Sequence, residues 1–114
     1  MMLISQVAKE TGIPIHTIRY YENLGLFHGK KDPSVKSNNY SWYDDEVIEK
    51  IELIMIAKEI GFTLSEIREI LSAWYDNRLS VEEKTGILAG KINHLKDVKK
   101  RILKLMDEVE EGLC

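Results

Sequence analysis

Hydrophobic residues recur at helical spacing near the start of the chain and predict two short helices. The inward-facing positions are Ile4, Val7 and Ala8 in the first helix and Ile15 and Ile18 in the second. Ser5 is the expected cap of the first helix, and Gly12 is its expected end. Pro14 suits the first turn of the second helix, and Gly25 provides its stop. Two short helices joined by so brief a turn are typical of a helix–turn–helix.

The next stretch, residues 27–41, is polar and rich in Gly, Pro, Ser, Asn and Lys, which predicts a hairpin. Tyr40, Trp42 and Tyr43 are expected to return this hairpin to the body of the domain. A hairpin beside a helix–turn–helix forms a wing, which can lay lysines along a phosphate backbone. The lysines concerned are Lys30, Lys31 and Lys36. The alternative is a solvated loop.

Two further helices are expected after the hairpin. Asp44 or Asp45 can cap a third helix that runs to about Ile60 and ends at Gly61. Residues 63–66, Thr-Leu-Ser-Glu, fit a capping box that starts a fourth helix. The apolar positions are Val47, Ile48, Ile51, Ile54 and Met55 in the third helix and Ile67, Ile70, Leu71 and Trp74 in the fourth.

The last third of the chain carries a heptad repeat, in which seven of the eight seam positions are apolar. The seam residues are Leu88, Ile92, Leu95, Lys99, Ile102, Met106, Val109 and Leu113. A helix of about 26 residues is roughly 39 Å long. A helix of this length extends beyond the small core that the rest of the chain can form. We therefore expect a second copy of the chain to cover its apolar seam. The alternative is a helix folded back on its own chain. Lys99 is a polar interruption that can set the register.

The helical pattern breaks at residues 76–78, which divides the chain into two expected domains. Residues 1–75 form a winged helix–turn–helix with a helix pair, and residues 76–114 form a linker and a coiled-coil dimerisation helix. Trp74 and Tyr75 lie just before the break and are expected in the core. The alternative is that they form the bottom of a ligand-binding pocket.

Composition and charge narrow the function. With 44% hydrophobic and 31% charged residues, the 114-residue chain resembles a folded soluble domain. We expect neither a membrane span nor a signal peptide, and the single cysteine, Cys114, excludes an intrachain disulfide, so a cytoplasmic location is expected. The net charge is −3, but residues 1–43 carry five Lys/Arg against three Asp/Glu. This local positive excess lies in the part of the chain that is expected to enter a groove.

The second helix contains Thr-Ile-Arg-Tyr-Tyr-Glu at residues 17–22. Arg19 supplies a forked cation, and Tyr20 and Tyr21 supply phenolic hydroxyls. Such groups contact guanine edges and phosphate oxygens. The alternative is that one of the tyrosines belongs to the core and Arg19 is only solvated.

In order and spacing, these features resemble the MerR family of bacterial transcription regulators over practically the whole chain. The matching segments are residues 4–12, residues 17–22 with Leu24-Gly25-Leu26, the wing tyrosines Tyr40 and Tyr43, and the helix-pair junction at residues 58–67. The resemblance implies a mainly α fold, in which a winged helix–turn–helix is followed by a long dimerisation helix that forms an antiparallel coiled coil. The DNA-binding residues that we assign are Thr17, Arg19, Tyr20, Tyr21, Tyr40 and Lys58 from the resemblance and Lys36 as a wing lysine.

The chain departs from the family pattern in two places, the wing and the start of the second helix. The wing usually has Gly-Tyr-Arg, whereas this chain has Asn-Tyr-Ser at residues 39–41, so an expected arginine contact is absent. Pro14 replaces a serine that often precedes the reading helix, which is the second helix of the helix–turn–helix and the one that contacts DNA bases in this family.

The resemblance implies a homodimeric, sequence-specific regulator of transcription. Such a protein binds a near-palindromic site in double-stranded promoter DNA and distorts the spacer between promoter elements, with RNA polymerase as a further partner there. Two other interpretations stay open: an excisionase-like architectural DNA-binding factor, and a coiled-coil interaction adaptor with a vestigial winged helix. An enzyme is the least supported, since no nucleophile–base pair, metal cluster or phosphate loop is recognisable.

The effector, the operator, and the choice between activation and repression are not indicated. Thiol-based metal sensors need at least two soft ligands, whereas this chain has one cysteine, and Ile56 stands where the aldehyde-sensing branch has its own. His16, His28 and His94 lie far apart. We therefore expect no metal and no cofactor, and Cys114 is expected to be incidental.

Overall fold

The computed structural model describes residues 1–31, 41–77 and 79–112. In chain order their elements are β1 (Met2–Leu3), α1 (Ile4–Thr11), α2 (Ile15–Asn23), β2 (Trp42–Tyr43), α3 (Asp45–Ile60), α4 (Leu64–Leu71), a π-helical turn (Ser72–Asp76) and α5 (Val81–Glu110). The mainly α fold predicted from the sequence is confirmed. The chain divides into two compact units, Met1–Asp76 and Asn77–Cys114.

Helix α1 begins at Ile4 because the chain enters it directly from β1. Leu3 occupies the N-cap position with extended backbone, and its N–H donates a hydrogen bond to Gln6 Oε1 at 2.8 Å. The prediction of Ser5 as the cap is therefore wrong, since Ser5 lies inside the first turn. Gly12 ends the helix as predicted, with φ of 76°, a left-handed conformation that glycine adopts without a clash from Cβ.

Helix α2 follows after a three-residue turn, which completes the helix–turn–helix. Pro14 is the N-cap rather than a residue of the first turn, and its carbonyl accepts from the N–H groups of Thr17 and Ile18. Ile18 is fully buried and Ile15 is half-buried, so the inward face was predicted correctly. Gly25, with φ of 82°, follows the end of this helix.

The sheet is the base of the predicted wing. β1 and β2 pair antiparallel, with Met2 opposite Tyr43 and Leu3 opposite Trp42. On the other side of β2, Lys30 and Trp42 exchange two backbone hydrogen bonds of 2.7 Å. The polar stretch therefore leaves and re-enters the domain as neighbouring strands. Its remainder, residues 32–40, lies outside the described residues, and with it two assigned DNA-binding residues, Lys36 and Tyr40.

Helices α3 and α4 form the predicted helix pair, and both start at a side-chain cap. The Asp44 carboxylate accepts from the Val47 N–H, and the hydroxyl and amide of Thr63 form a reciprocal capping box with Glu66. Gly61 ends α3 with φ of 110°. The buried residues are Val47, Ile51, Ile54 and Ala57 in α3 and Ile67, Ile70 and Leu71 in α4.

One core assignment in α3 is wrong. Met55 was predicted on the apolar face, but its side chain is 41% exposed. At 100° per residue, Met55 lies to one side of the stripe that Ile51 and Ile54 define, and the small Ala57 completes the buried face instead.

Trp74 and Tyr75 were predicted in the core, and both side chains are only half-buried. They belong to the π-helical turn that continues α4. The Lys50 ammonium lies 4.9 Å from the centroid of the Tyr75 ring. Burial, followed by the charges of Glu49 and Glu46, raises the pKa of Tyr75. Tyr75 therefore lies against the first half of α3.

The second unit is the long helix α5. It has 30 residues and begins with a capping box between Ser80 and Glu83. Its first residue, Val81, lies seven positions before the first predicted seam residue, Leu88. The predicted seam residues within it have exposed fractions between 39% and 54%: Leu88, Ile92, Leu95, Ile102, Met106 and Val109. Leu113 lies outside the described residues. A row of large apolar side chains thus faces solvent in the single chain.

Candidate nucleic-acid interface

Helix α2 has one face in the core and one in solvent. Ile18 and Tyr21, three residues apart, are buried, with exposed fractions of 0% and 6%. Arg19 is exposed and Tyr20 is 52% exposed, while Thr17 is half-buried. Since the buried pair fixes the rotation of the helix, the guanidinium and one phenol are presented together on the outer surface.

Tyr21 is both a core residue and a polar one. Its ring is buried, as the alternative interpretation of this motif required, and its hydroxyl accepts a hydrogen bond from Lys58 Nζ at 3.4 Å. The ammonium also lies 5.7 Å from the Tyr21 ring centroid, within range of a cation–π contact. The structure therefore brings together two predicted DNA-binding residues that are 37 positions apart in the sequence.

Glu22, the last residue of the motif in α2, has a structural role that the sequence did not reveal. One oxygen of its carboxylate accepts from the Gly29 N–H at 2.8 Å, and the other accepts from the Tyr43 hydroxyl at 2.7 Å. Burial, followed by the hydrogen bond to Glu22 and its charge, raises the pKa of Tyr43 to about 12. The phenol therefore remains a donor at neutral pH.

Two lysines stand at the described base of the wing. Lys30 Nζ lies 3.6 Å from a carboxylate oxygen of Asp44, with side chains that are 65% and 35% exposed. A pair this exposed contributes little to stability. Lys31 is also exposed. Both amines are accessible to an anionic partner.

Helix α4 is tied to the end of the reading helix. Arg68 Nη1 donates to the Leu24 carbonyl at 3.4 Å, and these two residues line a small cavity of about 110 Å³ with Leu64 and Ser65. Sequence reasoning missed this contact because it joins residues 44 positions apart. The helix pair is thereby fixed against α2 at Leu24 as well as at Tyr21.

Neither a metal site nor a membrane helix is found in the part of the chain that the structure describes. Residues 1–31, 41–77 and 79–112 contain no group of three His, Cys, Asp or Glu side chains placed to hold a metal ion. Over the same residues, every helix is too short or too polar to cross a membrane.

A helix–turn–helix with an exposed Arg–Tyr pair, flanked by a hairpin base and a helix pair, defines a DNA-binding protein. Comparison with known families agrees. Residues 2–74 match the sequence model of the MerR HTH family regulatory protein, and residues 48–111 match that of the MerR DNA-binding region. The chain belongs to the MerR family of transcription regulators, as the resemblance in its motifs indicated.

Individual relatives support the same assignment. The chain is 34% identical over 115 residues to the HTH-type transcriptional regulator CueR of Yersinia pestis. The alignment covers 94% of this chain and 80% of that protein. It superimposes on the crystal structure of MtaN, the N-terminus of the Bacillus subtilis multidrug transporter activator. The TM-score is 0.77 at 26% identity, with coverage of 99% of this chain and 98% of that one.

A third comparison concerns a solved complex. The fold matches HiNmlR, a MerR family regulator that lacks the sensor domain and was solved bound to promoter DNA, with a TM-score of 0.62 at 19% identity. The alignment covers 98% of this chain and 88% of that one. At 19% identity, this similarity is evidence for a shared fold only.

Proposed function

We propose that two copies of this chain bind a near-palindromic promoter site and distort the spacer between its promoter elements. The observation that carries this proposal is the outward face of α2, where Arg19 and Tyr20 are exposed beside a buried Ile18 and Tyr21. A recognition helix needs such an arrangement, because its inner face must hold it rigid while its outer face enters the major groove.

The proposed DNA contacts divide into two kinds. Arg19 reads base edges, because a planar fork of donors matches the two acceptors of guanine. Thr17, Tyr20 and the paired Tyr21 and Lys58 contact the phosphate backbone. For Tyr21 only the hydroxyl is available, since its ring is in the core. The wing residues Lys36 and Tyr40 remain assigned to the backbone on sequence grounds alone.

The second copy is proposed to pair along α5. Fully burying a large apolar side chain is worth roughly 1.5–3 kcal/mol, and six predicted seam residues of this helix are between 39% and 54% exposed in the single chain. The antiparallel arrangement is the one that the family resemblance implies. The two DNA-binding units then serve the two halves of one site.

The remaining assignments follow from DNA binding. We propose a cytoplasmic protein without catalytic activity, with RNA polymerase as a further partner at the promoter. Distortion of the spacer is the step at which such a regulator acts on transcription. The second candidate, a coiled-coil adaptor, is favoured by the exposed stripe of α5 and by the net charge of −3, but it gives no role to the outward Arg19 and Tyr20.

Selection of bound duplexes from a random pool, followed by footprinting of the enriched sequence, tests the proposal. The expected result is an inverted repeat, protected on both halves, that lies between promoter elements. Absence of enrichment, with no salt-dependent binding to generic duplex DNA, would favour the adaptor.

A further inference from the structure

The carboxylate of Glu22 joins the reading helix to both strands of the wing base. Gly29, which donates its N–H to one oxygen, comes directly before Lys30 on the outgoing strand. Tyr43, which donates its hydroxyl to the other oxygen, comes directly after Trp42 on the returning strand. One side chain of α2 therefore holds the place where the wing leaves the domain and the place where it returns.

The hairpin base is itself fixed, so that this connection can set its position. Lys30 and Trp42 exchange two backbone hydrogen bonds of 2.7 Å. A Cβ on Gly29 would lie 2.8 Å from both Ser41 Cβ and Tyr43 Cε1, which shows how closely the two strands approach. The ring of Tyr43 is 2% exposed and packs edge-on against Phe27, with ring centroids 6.5 Å apart. The base is thus held together by backbone hydrogen bonds and ring packing, and the Glu22 carboxylate connects it to α2.

We propose that Glu22 is a positioning residue, which holds the described base of the wing, with its exposed Lys30 and Lys31, at the distance from α2 that lets both elements engage DNA together. This inference rests on the proposed function. Its physical basis is preorganisation: a wing already placed for its phosphate contacts loses less freedom on binding than one that swings on its strands.

A positioning role and simple electrostatics predict opposite effects on DNA binding when the charge of Glu22 is removed. A carboxylate near a DNA backbone repels the phosphates, so charge alone predicts that Glu22→Gln strengthens binding. The amide oxygen of Gln can accept from the Gly29 N–H, but its NH₂ group can meet the Tyr43 hydroxyl only by donating to it. Both hydrogen bonds then lose the charge of the carboxylate, and charge-assisted bonds are roughly twice as strong as neutral ones. Positioning therefore predicts weaker binding, with fewer phosphates contacted.

The test compares wild type, Glu22→Gln and Glu69→Gln in equilibrium binding to one duplex over a series of salt concentrations. Glu69 is exposed on α4, so its substitution makes the same charge change without touching the wing. For Glu22→Gln we expect lower affinity and a salt slope reduced by about two, since each phosphate contact contributes roughly 0.9 and a dimer has two wings. For Glu69→Gln we expect an unchanged slope and equal or higher affinity.

A loss of folded protein cannot imitate this result, because a smaller active fraction lowers apparent affinity without changing the salt slope. Tyr43→Phe adds a second measurement. It keeps the charge of Glu22, removes one of the two hydrogen bonds of that carboxylate together with the bond between Tyr43 and Ser41, and should reduce the slope by less. If wild type binds and Glu22→Gln keeps the wild-type slope, the positioning role is wrong. If wild type itself shows no salt-dependent binding, the proposed function fails, and Glu22 has no DNA-bound wing to position.

Discussion

The Lys58 ammonium, in the last turn of α3, donates a hydrogen bond to the hydroxyl of Tyr21 in the reading helix at 3.4 Å. The Tyr21 ring is buried, whereas Lys58 is exposed. The pair therefore joins the helix pair to α2 and leaves a cation at the point where the two elements meet. A phosphate at this point would face a phenol and an ammonium that are already placed together.

Lys58→Met should weaken DNA binding and reduce its salt slope by about two in a dimer, because each subunit loses one phosphate contact worth roughly 0.9. Methionine keeps most of the aliphatic length, so packing on the Tyr21 ring is largely retained. Fluorescence anisotropy titrations at several salt concentrations measure both quantities. Lys104→Met, at an exposed position of α5, removes the same charge and should leave the slope unchanged. Equal salt slopes for the two variants would mean that Lys58 does not contact the DNA backbone.

Some features of this fold could be predicted because they are encoded locally. Gly12 and Gly61 adopt the left-handed conformation expected at helix ends, and Thr63 forms its capping box with a residue three positions away. Ser5 failed as a cap because pairing of β1 with a strand about forty residues later sets where α1 begins. Local sequence predicts a helix end correctly only where no distant segment of the chain also determines that end.

The candidate site was predictable in its residue types but not in its geometry. The motif in α2 indicated Arg19 and Tyr20, whose side chains are exposed as groove binding requires. The connection from Glu22 to Tyr43 spans 21 positions and produces no periodic pattern. A glutamate at the end of an amphipathic helix is normally solvated, so only the folded structure shows that this one accepts two hydrogen bonds.

Arg19→Ala should abolish preference for the selected site while leaving the dimer intact. The side chain is exposed, so its removal leaves no cavity, and each bidentate contact to guanine contributes about 1–3 kcal/mol of discrimination. Competition between the selected duplex and a scrambled duplex measures the preference, and Arg19→Lys is the informative companion. Lysine keeps the charge but lacks the fork, so it should retain generic binding and lose most of the discrimination. Full discrimination by Arg19→Ala would mean that α2 does not read the bases.

Ile102→Asp should dissociate the dimer. Ile102 is 53% exposed in the single chain. Burying a carboxylate in a seam that is apolar at every position but Lys99 is unfavourable. Asn93→Asp makes the same change of charge one residue beyond the seam position Ile92, on a side chain that is exposed. Light scattering over a range of protein concentrations should give the monomer mass for the first variant and the dimer mass for the second. An unchanged mass for Ile102→Asp would contradict the proposed interface.

Gly29→Ala should destabilise the first unit by about 1–3 kcal/mol, the usual cost of overpacking. Its Cβ would lie 2.8 Å from Ser41 Cβ and from the ring of Tyr43, neither of which can move freely within the wing base. Gly90→Ala is the opposite case. No heavy atom lies within 4 Å of its added Cβ, and it is within α5, so it should stabilise by about 0.5–1 kcal/mol. Urea unfolding at one fixed protein concentration measures both changes.

The free energy of unfolding should fall as the pH rises from about 10 to about 12, and Tyr43 should account for part of this fall. Burial, with the hydrogen bond to Glu22 and its charge, raises the pKa of Tyr43 to about 12 in the folded chain, whereas an unfolded tyrosine ionises near 10. Above pH 10 the unfolded phenol loses its proton while the folded phenol keeps it. The stabilisation that Tyr43 provides is therefore fully present below pH 10 and is lost as the pH rises through 12, with a size of roughly 2–3 kcal/mol.

Lysines and other phenols ionise in the same range, so the quantity to measure is the difference in unfolding free energy between wild type and Tyr43→Phe. We expect wild type to be the more stable protein at pH 8 and its advantage to shrink steadily towards pH 12. Tyr20→Phe, whose ring is 52% exposed, is carried through the same series to subtract the general effect of losing one phenol. An advantage that stays constant over this range would mean that Glu22 and burial do not hold the Tyr43 proton.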